Sequence, residues 1–393
     1  MSEKKILNYA DYLNLEQILN SQDLKSAERG RPAHDEMLFI IIHQVYELWF
    51  KQIIHEIDSV LTVFGQKSID ESHVSLAVLR LDRVIEIQKV LIDQIRVLET
   101  MTAMDFLEFR DDLFPSSGFQ SAQFRVLENK LGLPPLDRIN YGNQDYKNPL
   151  LDSGKKIVIE AEQEKSLFEL LESWLERTPF LSFEGFNFWE KYSHAIQTML
   201  ANEKETIQKN PNHSPEEIEY HLKDHDRTVA SYEAMIDPEK HNELIEKKKK
   251  RLSHKATKAA LLIFLYRDEP ILHSPFNLLS RLIDVDELFT TWRQRHAIMV
   301  RRMIGSKIGT GGSSGHAYLQ KTADRHKVFS ELADLSTFFI PRSALPELPE
   351  NTKKNLGYYF NEKLETWKLN HHERSNRFGC LQSSRRIIRF NLV

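Results

Sequence analysis

Two stretches constrain this chain more than any other feature. From Asp35 to Gly65, the apolar residues Phe39, Ile42, Tyr46, Trp49, Ile53, Ile57, Val60, Leu61 and Phe64 recur at helical spacing. From Asp70 to Glu99 the pattern repeats through Leu76, Leu79, Leu81, Val84, Ile85, Ile87, Val90, Leu91, Ile95 and Leu98. The second stripe is wide, which predicts a helix buried on more than one side. Gly and Pro together supply 28 of 393 residues, about 7%, against an average near ~12%. Few breakers and two long periodic runs point to an all-α fold and away from turn-rich β architectures. Length alone is compatible with two or three domains.

Other classes fall on composition. A lone cysteine, Cys380, excludes a disulfide framework and any multi-thiolate metal site, and suits a reducing compartment. Met1-Ser-Glu-Lys-Lys5 is followed by no signal-like apolar run. The longest clean apolar runs, Met37 to Ile42 and Ala259 to Tyr266, fall short of the ~20 residues a bilayer needs. A net charge of −4 gives no electrostatic reason to expect nucleic acid.

Further helices are expected at about 9–20, 103–113, 119–131, 161–177, 186–209, 214–236, 238–267, 276–282, 286–305, 322–335 and 351–368, with Asp35 as an N-cap and 136–160 irregular. Residues 203–258 are the most charged part and read as a solvated helical excursion, with Lys247-Lys-Lys-Lys-Arg251 inside a helix. Residues 369–393 read as a basic, loosely ordered tail. There is no convincing linker and no repeat.

Several residue groups can carry chemistry. Phe39, His43, Tyr46 and Phe50 share one helical face, and Trp292, His296, Met299 or Val300, and Met303 share another. A lone histidine among bulky apolar residues is either a hydrogen-bonded core residue or a ligand. The soft second set suits a flat apolar group such as haem, whose iron often takes a single proximal imidazole. Arg110, four residues after Phe106, is either a surface arginine or a clamp for a carboxylate beside an aromatic body. Ile308-Gly-Thr-Gly-Gly-Ser-Ser-Gly315 is neither a Walker loop nor a dinucleotide fingerprint; it is a simple connection or a substrate-covering loop. His221 and His225 lack the His-Glu-x-x-His pattern of a zinc site, and Asp35 is explained as a cap without invoking His34 and Glu36 as ligands. No Gly-x-Ser-x-Gly nucleophile elbow is present.

Tyr9-Ala-Asp-Tyr12-Leu13, His34-Asp-Glu-Met-Leu-Phe-Ile40, His43-Gln-Val-Tyr-Glu-Leu-Trp-Phe-Lys-Gln52, Leu98-Glu-Thr-Met-Thr102, Ser116-Ser-Gly-Phe-Gln-Ser121 and Gly309-Thr-Gly-Gly-Ser-Ser-Gly315 occur in that order. This set, over roughly residues 8 to 345, closely resembles the tryptophan 2,3-dioxygenase family. The resemblance implies a helical haem dioxygenase fold as a single domain over 1–368. It also implies haem b, a homotetramer built as a dimer of dimers, and a cytoplasmic location. The implied reaction inserts both atoms of O2 across the indole C2–C3 bond of L-tryptophan to give N-formyl-L-kynurenine. His296 matches the proximal iron ligand, with Trp292 beside it. His43 matches the distal histidine that bonds the indole N–H, and Phe39 the aromatic against the indole. Arg110 and Thr310 match the residues holding the amino-acid end. Phe106 stands where some members carry tyrosine. Ser117 and Gly118 match positions near the haem propionates and the oxygen site. Tyr9, Tyr12 and Leu13 match a segment that enters the neighbouring subunit's pocket. Two other readings remain at this point: a haem hydroxylase on the same scaffold, and a helical interaction protein with no cofactor.

Overall fold

The computed structural model describes residues 7–139, 145–178, 188–309, 315–350 and 353. Thr310, nearly all of the expected 351–368 helix, and the basic tail lie outside them. Among the described residues the regular structure is entirely helical. The N-terminal pieces are α1 (Tyr9–Leu13), α2 (Leu15–Leu19) and α3 (Lys25–Glu28). The expected 9–20 helix is broken because Asn14 adopts φ 55°, the left-handed region that asparagine tolerates.

Next come the two long helices, α4 (Glu36–Phe64) and α5 (Glu71–Leu98). Asp35 is not a side-chain cap: it sits in the helical region and makes no cap bond. The neighbouring carboxylate acts instead. Buried Glu36 accepts from the backbone N–H groups of Lys25 (2.8 Å) and Ser26 (3.0 Å) and from the Ser26 hydroxyl, tying α3 to the start of α4. Asp70 does cap α5, in a reciprocal box with His73. α6 (Ala103–Phe109) tightens into a 3-10 turn over Arg110–Leu113, and α7 (Ala122–Leu131) follows a second such turn at Gly118–Gln120.

The region expected to be irregular to residue 160 contains α8 (Asp152–Gln163), separate from α9 (Leu167–Glu176). Gly154 disguises α8 in the sequence; a Cβ there would lie 3.1 Å from Ala122, so glycine allows α8 to approach α7. Then come α10 (Phe188–Lys209), α11 (Pro215–Ile236), α12 (Pro238–Glu246) and α13 (His254–Leu265). The lysine run lies in the break between α12 and α13, with Lys248 at φ 54°, not inside a helix. The charged excursion is also anchored: Tyr232 is buried, its hydroxyl donates to the Thr337 carbonyl at 2.8 Å, and His225 Nε2 bonds the Leu200 carbonyl at 3.0 Å.

The two expected helices at 276–282 and 286–305 are one, α14 (Pro270–Ile304), with Pro275 inside it. Pro275 falls near the start, so its missing N–H forfeits a single early bond. Asp286 spends its carboxylate on the N–H groups of Val328 (2.9 Å) and Phe329 (3.1 Å) and leaves the helix intact. α15 (His316–Arg325) and α16 (Ser330–Asp334) replace the single expected 322–335 helix.

A continuous apolar core runs from Ala33 to Leu348. α5 is its spine, with Ala77, Leu81, Val84, Leu91 and Ile95 buried between α4 on one side and α14 on another. α7 packs on α4 and α8, and α9 on α13. By length and composition α4 alone among the described helices could cross a membrane. It also holds the buried Glu56, paired with Arg80 and Arg83 of α5, and packs on two other helices.

Gly132 closes α7 at φ 112°, where an added Cβ would meet the Phe168 Cβ at 2.7 Å. Gly132→Ala is expected to destabilise the fold by at least ~2 kcal/mol, from left-handed strain and overpacking together. A urea-unfolding midpoint within about 0.5 kcal/mol of the parent would contradict this packing.

Candidate active site

α4 and α14 are held apart by α5 and meet through rings rather than backbones. Trp292 touches Tyr46 (centroids 6.0 Å) and Phe50 (6.1 Å) edge-on, and packs on Phe124 of α7 at 5.3 Å. The space left beside them is a cavity of about 280 Å³, lined by α4, α6, α7, α14, α15 and the turn at Ser117 and Gly118. Both singled-out histidines face it.

His43 presents its ring to the cavity and keeps much of its surface free for that reason. Its Nδ1 lies 2.7 Å from the Phe39 carbonyl one turn earlier. A carbonyl only accepts, so Nδ1 carries the proton and Nε2 is left as an acceptor. Burial pushes its pKa below the ordinary histidine value, opposed by the Phe39 carbonyl and by Glu47. The ring is therefore neutral at pH 7. Phe39 lies 4.1 Å from it, ring to ring, and continues into Phe106 (5.7 Å) and Phe109 (5.6 Å). Phe39 and Phe106 form an apolar wall, with the fully buried Phe109 behind them.

His296 is held on α14 parallel to Trp292, with ring centroids 5.6 Å apart and planes within 5°. Its pKa is pushed down to about 4, by burial first and by His43 second. Neither ring nitrogen has a hydrogen-bond partner among the described residues. A neutral imidazole with a free lone pair in an apolar chamber is a metal ligand in waiting.

Arg110 follows α6 and reaches the cavity edge. One terminal nitrogen donates to the Ile308 carbonyl, and Asp111 lies 3.7 Å away. Its Nε is buried without a partner among the described residues, and an acceptor brought to it would offset the roughly 1–3 kcal/mol cost of an open buried N–H. Ser117 caps the short turn through its hydroxyl, and a Cβ on Gly118 would meet nothing within 4 Å, so the wall there is open.

The structure thus brings together Phe39, His43, Phe106, Arg110, Ser117, Gly118, Trp292 and His296. It does not bring Tyr9, Tyr12 and Leu13 to this chain's cavity; Tyr9 and Tyr12 are 74% and 70% exposed. The His221 ring stacks on His213 at 4.7 Å, and among the described residues no group of three or more His, Cys, Asp or Glu side chains is placed to hold a metal ion. The sequence reading missed a polar sector of the wall: Arg125 and Glu128 on α7, Arg293 on α14, and Tyr318, Thr322 and His326 from α15 and just beyond it. Only the adjacency of Arg293 to Trp292 could have flagged one of them.

The tryptophan 2,3-dioxygenase family model matches residues 1–339. A tryptophan 2,3-dioxygenase of Bdellovibrio bacteriovorus is 48% identical over 354 residues, which is 90% of this chain and 99% of the relative. Those of Dictyostelium discoideum (47% over 358 residues, 91% and 90%) and Xenopus tropicalis (47% over 352 residues, 89% and 86%) are similar along nearly the same span. With two histidines facing one largely apolar cavity and an arginine at its edge, the chain belongs to the tryptophan 2,3-dioxygenase family, oxidoreductases that oxidise tryptophan with dioxygen.

Proposed function

We propose that the cavity takes haem b on the His296 side and L-tryptophan on the His43 side, and that the product is N-formyl-L-kynurenine. The observation that carries this reading is the half-buried His296 imidazole, which lines the cavity, stacks on Trp292 and has no hydrogen-bond partner among the described residues, with its pKa pushed down to about 4. The residues fit the cofactor in three further ways. The aromatic and aliphatic walls suit a flat macrocycle. Trp292, Ser117 and Gly118 leave room around it. Arg125 lies in the wall with its Nη1 on Glu128, leaving its Nε as a donor toward a carboxylate. When bound, haem supplies the iron that activates dioxygen.

The chain's own residues do the rest. Phe39 and Phe106, backed by the buried Phe109, receive the planar indole and exclude water from it. His43 Nε2 accepts the indole N–H and fixes the ring's orientation. Arg110 takes the substrate carboxylate, and Thr310 is assigned to the same amino-acid end. This places the C2–C3 bond at a defined position, a gain that comes from orientation rather than acid–base chemistry. With phenylalanine at position 106, no hydroxyl contact comes from that side chain.

The same reading includes a homotetramer in which Tyr9, Tyr12 and Leu13 enter a neighbouring subunit's cavity. The apolar surface that α1 and α2 leave open supports it. A cytoplasmic location accords with the lone Cys380.

Three outcomes test these roles. Tryptamine, which lacks the carboxylate, should show a kcat/KM lower than L-tryptophan's by a factor equivalent to about 2–4 kcal/mol; equal efficiency would sink the Arg110 clamp. Because the pKa of His43 lies below 6.5, Nε2 stays an acceptor through neutral pH and is lost only as pH falls through the lowered value. The kcat/KM profile should be flat at neutrality with an acid limb below pH 6.5, and a limb above that value contradicts the assignment. His43→Ala should raise KM and keep measurable turnover. A variant that binds haem and tryptophan but turns over nothing would make His43 an essential base.

A further inference from the structure

One buried carboxylate gathers most of the polar wall of the cavity. Glu128 on α7 is 3% exposed. Its Oε1 accepts from Arg293 Nη2 at 3.0 Å and faces His326 Nδ1 at 3.5 Å. Its Oε2 accepts from Arg125 Nη1 at 3.0 Å and from Arg138 Nη1. The partners arrive from four places: α14, the residue ending α15, α7 itself, and the segment after the 3-10 turn at Pro135–Asp137. His326 is itself fixed, because its Nε2 accepts from the Ile139 N–H at 3.2 Å, which leaves the ring proton on Nδ1 toward Glu128. Arg293 makes a second bond from Nη1 to the His326 carbonyl at 2.9 Å. Its guanidinium also sits over the Phe124 and Phe289 rings.

Arg293 is the residue after Trp292 and precedes His296 by three. A helix is rigid over one turn, so whatever fixes the azimuth at position 293 fixes it at 296. Burial forces Glu128 to keep its partners: taking one away leaves an uncompensated buried charge, a penalty of about 3–5 kcal/mol. The surrounding arginines hold its carboxyl well below the usual range, so it remains charged across the working pH.

We propose that Glu128 is a positioning residue for the reaction: by clamping Arg293 against α7 and residue 326, it sets the rotation of α14 that aims His296 into the cavity, and it anchors Arg125 in the same wall. This inference rests on the reading of His296 as the haem ligand. It assigns Glu128 no contact with substrate and no proton transfer.

The test is a haem titration of the full-length protein, followed by the Soret band and its position, beside the apo Tm of each variant. Glu128→Gln keeps the shape and the acceptor but loses the charge; Arg293→Met cuts the link to α14. Both should weaken haem binding about 10- to 100-fold and shift the ferrous spectrum. Arg138→Met removes a Glu128 partner that lies outside α14, and should lower the apo Tm while titrating like the parent. If Glu128→Gln does not fold, Glu128→Asp, which keeps the charge but withdraws it by one methylene, is read in its place and should show the same shift in smaller measure. A parent-like titration for Glu128→Gln or Glu128→Asp, or an Arg138→Met effect as large as that of Arg293→Met, overturns the positioning role and leaves a stabilising one. A parent protein that takes up no haem overturns the His296 reading and this inference with it.

Discussion

The site depends on the separation of α4 from α14 by α5. α5 presents apolar residues on two sides, and each long helix buries a stripe against one of them. Both pack on α5, and large rings span the space between them. The space between them is the cavity of about 280 Å³, and a ligand that binds there stabilises the fold by mass action.

Within that void, electrostatics are set by removal of water. Desolvation pushes the pKa of both imidazoles down, and His43 pushes that of His296 down further. A neutral ring can accept a hydrogen bond or ligate a metal; a protonated one does neither. On the opposite account, Glu128 stays ionised because arginines surround it, despite burial that favours the neutral acid. The cavity thus has an uncharged face suited to an indole or a macrocycle and a cationic edge suited to carboxylates. That division matches a substrate and a cofactor that are each flat, apolar and acidic at one end.

Much of this was legible in the chain itself. α4 and α5 announce themselves by periodicity, and His43 and His296 by interrupting apolar faces where no polar residue is expected. The true start of α14 was hidden by Pro275, and α8 by Gly154, because local propensity is overridden by packing that becomes visible only in three dimensions. The Glu128 cluster was hidden for another reason. Arg293 is 165 residues away along the chain, and no spacing rule connects a glutamate on one helix to an arginine on another. The role given to Thr310 came from the family resemblance alone; for Arg110 the residues left a surface arginine and a carboxylate clamp both open, the resemblance chose the clamp, and its place at the cavity edge adds a physical reason.

The claim on which the account turns is that the two histidines, alike in the sequence, are unlike in function. The most direct measurement is the visible spectrum of the purified protein during haem addition, compared with His296→Ala and His43→Ala. The account predicts a Soret band in the parent, a lost or displaced band in His296→Ala, and a retained band in His43→Ala. An unchanged band in His296→Ala, or one lost only in His43→Ala, would contradict it.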